Sequence, residues 1–241
     1  MPKSIAIIPA RGGSQRIPRK NIKLFHGRPI LAYSIETAQA SALFDRIIVS
    51  TDDAQVAELA LQFGAEVPFI RPADLSDAHA TTMAVMQHAI NALRVDGFEF
   101  DFACCIYATA PFLQPHFLRE GERLLAEQAD AMYAFSVTSF AFPVQRALVL
   151  NEEGRLDALY PQYRNTRSQD LSEALHDAGQ FYWGRCDAWV RGEVIYSPLS
   201  LPVKLPRYLT QDIDTVEDWQ LAEHLYSALI AAGKISQGAA L

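Results

Sequence analysis

The strongest constraint on the fold is the alternation of short, apolar, β-branched runs with stretches of helical periodicity along the chain. Strands are predicted at residues 4–10, 46–51, 67–71, 101–108 and 131–138, and helices at residues 29–41, 54–63 (ended by Gly64), 81–93 and from Pro115 onward. This alternation predicts an α/β fold: an open, mostly parallel, Rossmann-like twisted sheet with helices on both faces. The 241 residues fit one domain spanning positions 1–241.

Two later segments depart from the simple alternation. Between Phe140 and Ala178, aromatic and polar residues surround a hairpin-like NEEG, and we interpret this segment as an insertion. A last strand is predicted near QDID, residues 211–214, followed by a helix over about 216–230. The chain is therefore expected to close with one more strand and helix of the same fold.

Charge is distributed unevenly along the chain. There are 21 basic and 28 acidic residues, a net charge of −7, yet the first acidic residue is Glu36 and seven basic residues precede it. The overall negative charge argues against general binding to nucleic acids or to anionic membranes. Three cysteines fit neither a disulfide framework nor a metal site, and no apolar stretch reaches the roughly 18 residues of a membrane span. We expect a cytoplasmic protein.

The segment PARGGSQRIPRKN, residues 9–21, directly follows the first strand and contains four of these seven basic residues. In an open sheet, ligands bind beyond the carboxyl ends of the strands. We therefore expect the loops after Ile8, Ser50, Ile70 and Tyr107 to form one crevice.

Glycines and cations make the first loop suitable for a polyphosphate. Gly12 and Gly13 allow close approach of the backbone, while Arg11 and Lys20 place positive charge around its N–H groups. The loop matches neither the Walker motif nor GxGxxG, so a solvated basic loop is the alternative interpretation. Its position after the first strand, with no acidic residue nearby, favours phosphate binding.

Two acidic pairs are candidates for binding Mg²⁺, which takes one or two carboxylates together with substrate phosphates. Asp212 and Asp214 share one face if their segment is extended, although Asp214 can instead favour the N-terminus of the last helix. Asp52 and Asp53 form a competing site, but their sequence context also indicates a helix cap.

Six segments, in this order over nearly the whole chain, resemble those of one enzyme family: PARGGSQRIPRKN, FIRPADLSDAHATT, ATAPFL, NTRSQD, DAGQFYW and QDIDT. The family comprises the CMP-sugar synthetases that activate nonulosonic acids, including the CMP-sialic acid synthetases. The resemblance implies a nucleotidyltransferase fold and transfer of CMP from CTP to the anomeric hydroxyl of an acidic eight- or nine-carbon sugar, releasing pyrophosphate. It also implies Mg²⁺ as cofactor and a homodimer with residues 140–175 as its dimerisation arm.

The same resemblance implies roles for individual residues. It places Arg11, Lys20 and Asn21 around the CTP triphosphate, and Asp212 and Asp214 on the Mg²⁺ ion. The cytidine is expected beside a second set, Arg71, Ala80, Thr81 and Thr82. The sugar is expected against a third set, Tyr107, Thr109, Gln169, Gln180, Phe181 and Tyr182, with Arg167 in a stretch that family members can offer to the neighbouring subunit's site.

The chain departs from the sialate synthetases at two of these places. Their first loop usually reads SKGIPRKN, where this chain has Gln15 and Arg16, so Arg16 is our candidate for the cation that meets the leaving phosphates. Their fourth strand usually ends in QPTSPLR, where this chain has Tyr107. An aromatic residue in place of a hydrogen-bonding one favours a less hydroxylated sugar, and we expect pseudaminic acid, which ends in a methyl group.

Three other functions stay open on the sequence. They are an N-acetylneuraminate or octulosonate cytidylyltransferase, a glycosyltransferase with Asp52-Asp53 as its metal motif, and a nucleotide-binding module without catalysis. The catalytic hypothesis, centred on Arg11, Arg16, Lys20 and Asp214, requires the glycine loop and the late carboxylates to lie on the same side of the molecule.

Overall fold

The computed structural model describes residues 2–14, 16–77 and 79–235, so Gln15 lies outside the described residues. The strands are β1 Ser4–Pro9, β2 Leu24–Phe25, β3 Arg28–Pro29, β4 Arg46–Ser50, β5 Phe102–Ile106, β6 Tyr133–Ser139, β7 Leu148–Leu150, β8 Leu156–Ala158, β9 Leu175–Arg185 and β10 Ser200–Lys204. The α-helices are α1 Ile30–Ser41, α2 Ala54–Gln62, α3 Thr82–Val95, α4 Pro115–Glu127, α5 Cys186–Arg191 and α6 Val216–Ala231.

Six of these strands form the central sheet, in the order β10-β6-β9-β5-β1-β4. Strand β1 is parallel to both β4 and β5, and β6 is parallel to β10. The long strand β9 lies between β5 and β6 and is antiparallel to both. The predicted mostly parallel α/β sheet is confirmed, with one antiparallel strand at its centre.

Alternating side chains along the strands supply two hydrophobic cores, one on each face of the sheet. Ala6 and Ile8 of β1 pack on the face covered by α1, α2, α4 and α6. Ile5 and Ile7 point to the other face, where α3 and α5 pack. Because successive side chains of a strand point to opposite faces, a strand buried on both sides is a continuous apolar run. The expectation of helices on both faces is confirmed.

The helix predicted over residues 54–63 ends as expected before Gly64, which has a φ of +81°. The strand predicted at residues 67–71 is wrong, since only isolated bridges from Glu66 to Ile48 and from Ile70 to Thr51 form there. Pro68 has no backbone N–H to donate to a neighbouring strand, and this limits the pairing.

The predicted insertion contains a hairpin at the expected place. Strands β7 and β8 pair with each other rather than with the central sheet, and Gly154 in their turn has a φ of +72°. Asn151 Oδ1 accepts hydrogen bonds from the backbone N–H groups of Glu153 and Arg155. The segment exposes large apolar side chains, including Phe142, which is 83% exposed. Its role in dimerisation stays a prediction.

All three cysteines, Cys104, Cys105 and Cys186, are buried and free. Burial raises the pKa of each thiol, so these side chains act as small apolar groups in the core. Among the helices that the structure describes, none is long and apolar enough to cross a membrane.

Candidate active site

A cleft of about 460 Å³ lies at the carboxyl ends of β1 and β5. Its lining residues are Pro9, Arg11, Ser14, Arg16, Lys20, Asn21, Arg71, Leu75, Asp77, Ala80, Thr82, Val85, Tyr107, Ala108, Thr109 and Asp214. They come from the loop after β1, from the segment after Ile70, from the start of α3, from residues just after β5 and from the loop before α6. Three of the four loops expected to converge therefore line one crevice, while the loop after Ser50 contacts the first loop instead.

The two ends of the chain meet in this cleft. Arg16 Nη2 lies 2.7 Å from Asp214 Oδ2, and Lys20 Nζ lies 3.3 Å from Asp214 Oδ1. Lys20 Nζ also donates a hydrogen bond to the Ile213 carbonyl at 2.8 Å. The glycine loop and the late carboxylate therefore lie on the same side of the molecule, as the catalytic hypothesis requires.

The segment around Asp212 and Asp214 is a loop, and the strand predicted near residues 211–214 is wrong. Asp218 Oδ2 accepts the N–H groups of Asp214 and Thr215, and Thr215 Oγ1 accepts the N–H of Asp218. This capping box turns the backbone into α6 and prevents an extended strand. Desolvation, followed by repulsion from Asp214, raises the pKa of the Asp212 carboxyl.

Backbone and side-chain hydrogen bonds fix the cationic wall of the cleft. Arg11 Nη1 donates to the Asp77 carbonyl at 2.5 Å, and Asn21 Nδ2 donates to the Arg11 carbonyl at 2.9 Å. The N–H groups of His79 and Ala80 donate to Asp77 Oδ1 at 2.8 Å, which lowers the pKa of the Asp77 carboxyl. Asp77 thus joins the segment after Ile70 to the glycine loop.

Arg71 is a buried cation on the wall of the cleft. The residue is 4% exposed, and its Nε and Nη2 have no hydrogen-bond acceptor among the residues described. The closest carboxylate oxygen, Asp52 Oδ1, lies 3.8 Å from Nη2. Burial lowers the pKa of the Arg71 guanidinium. Buried donors of this kind are normally paired, so Arg71 is prepared for an acceptor that a ligand brings.

The N-terminus of α3 forms the neighbouring wall. Thr81 is its N-cap and accepts the N–H of Ala84 at 3.2 Å, so its hydroxyl is used by the helix. Ala80 and Thr82 line the cleft. Three of the four expected cytidine residues, Arg71, Ala80 and Thr82, therefore line one cleft, and Thr81 does not line it.

Tyr107 forms the part of the cleft wall next to Thr82, and two further tyrosines, Tyr182 and Tyr196, support it from outside the cleft. Tyr107 lines the cleft, and its ring packs 5.4 Å from that of Tyr182 in β9. The hydroxyls of Tyr182 and Tyr196 both donate to Asp177 Oδ2. Burial raises the pKa of Tyr107 and Tyr182, so both hydroxyls stay protonated, and the Tyr107 hydroxyl lies 3.2 Å from Thr82 Oγ1. Thr109 lies on the same side of the cleft as part of the β5 loop.

Two of the expected sugar residues are buried beneath this wall. Gln180 Nε2 donates to the Leu209 carbonyl at 2.5 Å, and the Gln180 carbonyl accepts the N–H of Tyr107 at 2.9 Å. Phe181 is fully buried in the core. In this structure both residues support the cleft through their neighbours and do not line it.

Two further expected sugar residues lie on the insertion. Arg167 and Gln169 are exposed, and Arg167 Nε pairs with Asp170 Oδ2 at 2.8 Å. Neither lines the cleft of its own chain. Their contact with a sugar stays a prediction that depends on a neighbouring subunit.

The Asp52-Asp53 pair has the structural role that its sequence context indicated. Asp53 is the N-cap of α2 and accepts the N–H groups of Gln55 and Val56 at 3.0 Å. It also binds Arg19, and Asp52 accepts the N–H of Gly12 at 3.0 Å. Gly12 therefore has its N–H directed at the protein, whereas Gly13 faces open space.

Several residues of the cleft and of the contacts that support it were not identified from the sequence. Ser14 and Asp77 lie inside the segments we quoted but carried no signal of their own beyond a turn-forming residue type. Asp177 and Tyr196 contact each other through the fold, nineteen positions apart, so only the three-dimensional structure reveals the pair.

The chain matches one family over most of its length: the cytidylyltransferase family model covers residues 5–177. It belongs to the cytidylyltransferase family. This cytidylyltransferase is 44% identical over 225 residues to the pseudaminic acid cytidylyltransferase of Campylobacter jejuni, over 93% of this chain and 96% of that relative. It is 29% identical over 225 residues to the CMP-N,N'-diacetyllegionaminic acid synthase of Legionella pneumophila, over 92% and 95% of the two chains. The family resemblance drawn from the six sequence segments is confirmed.

A solved structure shows the same fold. The cytidylyltransferase is similar to CMP:2-keto-3-deoxy-manno-octonic acid synthetase complexed with CTP, with a TM-score of 0.68 and 20% identity over 94% of this chain and 99% of that one. At this identity the comparison concerns the fold alone. The predicted nucleotidyltransferase fold is confirmed.

Proposed function

We propose that this cytidylyltransferase transfers CMP from CTP to the anomeric hydroxyl of pseudaminic acid and releases pyrophosphate. The observation that carries the proposal is the pairing of Arg16 and Lys20 with Asp214 in one cleft. This pairing joins the cations that a triphosphate needs and a carboxylate that a divalent ion needs. The identity to the Campylobacter jejuni relative over nearly the whole of both chains supports the same substrates.

The triphosphate is assigned to the cationic wall. Arg11, Arg16 and Lys20 line the cleft, and Gly13, which belongs to the same loop but does not line the cleft, has no atom within 4 Å of where a Cβ would lie, so a phosphate oxygen can approach its backbone. Asn21 holds the loop by its bond to the Arg11 carbonyl. In the free protein Asp214 pairs with two of these cations, and the phosphates of CTP take over that role on binding.

The cytidine is assigned to the wall formed by Arg71, Ala80 and Thr82. Two guanidinium nitrogens of Arg71 are buried without an acceptor among the described residues, and cytidine carries acceptors at its base and ribose. Binding the nucleoside there gives the buried donors their missing partners. This explains why the fold retains a cation at a position from which water is largely excluded.

Asp212 and Asp214 fit a Mg²⁺ ion by their chemistry. Both are carboxylates, and repulsion between them contributes to the raised pKa of Asp212. A bound cation would relieve this repulsion. The described residues include no cluster of three or more possible metal ligands, which suits an ion that keeps several waters and binds substrate phosphates. When bound, such an ion neutralises phosphate charge and lowers the pKa of the attacking hydroxyl.

The reaction requires the protein to position the two substrates and to neutralise the charge on the phosphates. The anomeric oxygen attacks the α-phosphorus in line, the bond from that phosphorus to the bridging oxygen breaks, and pyrophosphate leaves with the electron pair while the hydroxyl proton passes to water. Arg16 and Lys20 stand where the negative charge of pyrophosphate grows. Tyr107 and Thr109 orient the sugar on the opposite side.

The aromatic wall favours pseudaminic acid over more hydroxylated sugars. Tyr107 presents a ring already engaged with Tyr182, and the Tyr182 hydroxyl is bound to Asp177. A polar glycerol tail against this wall would lose hydrogen bonds to water, whereas a methyl group loses none. The nearest alternative is an N-acylneuraminate or octulosonate cytidylyltransferase. A glycosyltransferase using Asp52-Asp53 is less favoured because α2 and Arg19 already bind Asp53.

We also propose a homodimer in which the insertions of two subunits cover each other. Phe142, Leu150 and Leu156 are 83%, 71% and 67% exposed, an arrangement that is costly in water unless a partner covers it. Arg167 on the same segment would then face the partner's cleft. The cytoplasm is the proposed compartment, which three free, buried cysteines support.

The proposed reaction is tested by measuring pyrophosphate release with CTP or UTP, each combined with pseudaminic or N-acetylneuraminic acid. We expect release with CTP and pseudaminic acid together, and a CMP-sugar of the corresponding mass. Release with N-acetylneuraminic acid in preference would reassign the sugar. CTP binding without turnover on any acidic sugar would favour a binding module, and pyrophosphate that appears only when CTP and the free sugar are both present would decide against a glycosyltransferase.

A further inference from the structure

The glycine loop is held in an unusual conformation at one residue. Arg19, directly before Lys20, has a φ of +56° and a ψ of +33°, the left-handed region that non-glycine residues rarely adopt. Its guanidinium donates to both carboxylate oxygens of Asp53, at 2.5 and 2.9 Å, and to Gln55 Oε1 at 2.6 Å. The fold thus compensates the strained backbone with a bidentate pair.

A second contact holds the other end of the same loop. The N–H of Gly12 donates to Asp52 Oδ1 at 3.0 Å. A Cβ atom at Gly12 would come within 2.5 Å of Asp53 Oδ2, so only glycine allows the loop to lie this close to the two carboxylates. Residues 12–19 are therefore fastened at both ends to the turn that begins α2.

We propose that Asp52 and Asp53 are positioning residues that hold the glycine loop open for the triphosphate, with Arg19 as their partner. None of the three lines the cleft. Their bonds fix the backbone on the outer side of the loop, which leaves Arg16 and Lys20 directed inward at Asp214. Preorganising the loop removes part of the ordering cost from CTP binding. This inference rests on the proposed function.

The charge of Asp53 supports this assignment. The side-chain bond from Arg19, with bonds from the N-terminus of α2, lowers the pKa of Asp53 to about 2. The carboxylate is therefore ionised at neutral pH. At that pH the charged pair with Arg19 is already formed in the free protein.

The test separates the loop contact from the helix cap. Asp53→Asn keeps a side chain that caps a helix as well as Asp does, but it removes the charge that pairs with Arg19. Arg19→Asn keeps a residue that tolerates the left-handed region and removes the guanidinium. Asp187→Asn, which breaks the pair between Asp187 and Arg94 away from the cleft, is the matched control. Each is compared with wild type by hydrogen exchange and by calorimetric titration with CTP.

We expect amides within residues 12–22 to exchange about tenfold faster in Asp53→Asn and Arg19→Asn, and CTP to bind about tenfold more weakly, because charge-assisted bonds of this strength are lost. Turnover at saturating CTP should stay within about twofold of wild type, since the reacting groups are unchanged. The exchange rates and the CTP affinity of Arg19→Lys should fall between those of wild type and those of Arg19→Asn. Asp187→Asn should match wild type throughout.

Loop exchange and CTP affinity equal to wild type in both variants would overturn the proposal. Faster exchange in α2 as well as in the loop would reduce Asp53 to a helix cap and would also overturn it. If wild type binds no CTP, the proposed function fails, and the exchange data still decide whether the two carboxylates hold the loop.

Discussion

Arg71 is buried in the free protein with two nitrogens that lack acceptors among the described residues. Replacing it should therefore change the stability of the free protein and its binding of nucleotide in opposite directions. Arg71→Met replaces a guanidinium whose Nε and Nη2 have no acceptor among the described residues with an apolar chain of comparable reach. Most substitutions of buried residues destabilise a protein. Here the free protein should become more stable while nucleotide binding becomes weaker.

The structure sets the magnitudes. A buried, unpaired donor costs about 1–3 kcal/mol, and Arg71 has two, partly offset by Asp52 at 3.8 Å from Nη2. We therefore expect Arg71→Met to increase the free energy of unfolding by about 1 kcal/mol, a rise in Tm of about 2–4 °C for a chain of this size. Losing two charge-assisted bonds to the nucleotide should weaken CTP binding by about 3 kcal/mol, roughly a hundredfold.

Thermal unfolding of the free protein and calorimetric titration with CTP measure the two effects. Arg46→Met is the control, because the Arg46 side chain is also largely covered, 16% exposed against 3% for Arg71, but has its charge paired with Glu66. Its loss should lower the Tm and leave CTP binding unchanged. A lower Tm for Arg71→Met together with unchanged CTP affinity would refute the assignment of Arg71 to the nucleotide.

The other predictions concern the phosphates, the metal, the sugar and the acid stability. Lys20→Ala should reduce turnover by about 10²–10³-fold, since it removes a cation from the leaving pyrophosphate; near-normal turnover in the pyrophosphate assay would contradict this role. Asp214→Asn should abolish Mg²⁺-dependent turnover while circular dichroism shows an intact fold, and unchanged activity would leave Asp214 only as a partner of the loop cations. Tyr107→Gln should raise the kcat/KM ratio of N-acetylneuraminic to pseudaminic acid, and a constant ratio would remove Tyr107 from sugar selection. Because the pKa of Asp53 is lowered to about 2, its stabilising contribution is present above its unfolded pKa and is lost as the pH falls towards 2. The stability of Asp53→Asn should therefore approach that of wild type only in strong acid, and a gap that closes at neutral pH would contradict the pairing with Arg19.

Much of the fold follows from local sequence, and the exceptions have physical causes. The strands with continuous apolar runs, β1, β4 and β5, and the helices that follow them were predicted because both signals are local. The antiparallel direction of β9 could not be predicted, because the direction of a strand depends on which neighbours it pairs with. Residues 211–214 looked extended, but the Asp218 carboxylate binds the backbone of Asp214 and Thr215 and starts a helix instead.

The residues of the cleft likewise divide into those that the sequence predicts and those that it does not. The glycine loop and the two carboxylates were predicted from residue types whose chemistry is distinctive, and the structure brings Arg16, Lys20 and Asp214 together, whereas Asp212 does not line the cleft. The left-handed conformation of Arg19 and the missing acceptors of Arg71 have no sequence signal, because each depends on distant residues that the fold places nearby.

A crystal structure of this cytidylyltransferase with Mg²⁺ and a non-hydrolysable CTP analogue tests the central claim most directly. We expect the triphosphate between Arg11 and Lys20, the ion on the carboxylates of Asp212 and Asp214, and the pair between Arg16 and Asp214 opened. A triphosphate bound elsewhere, with that pair intact, would contradict the account.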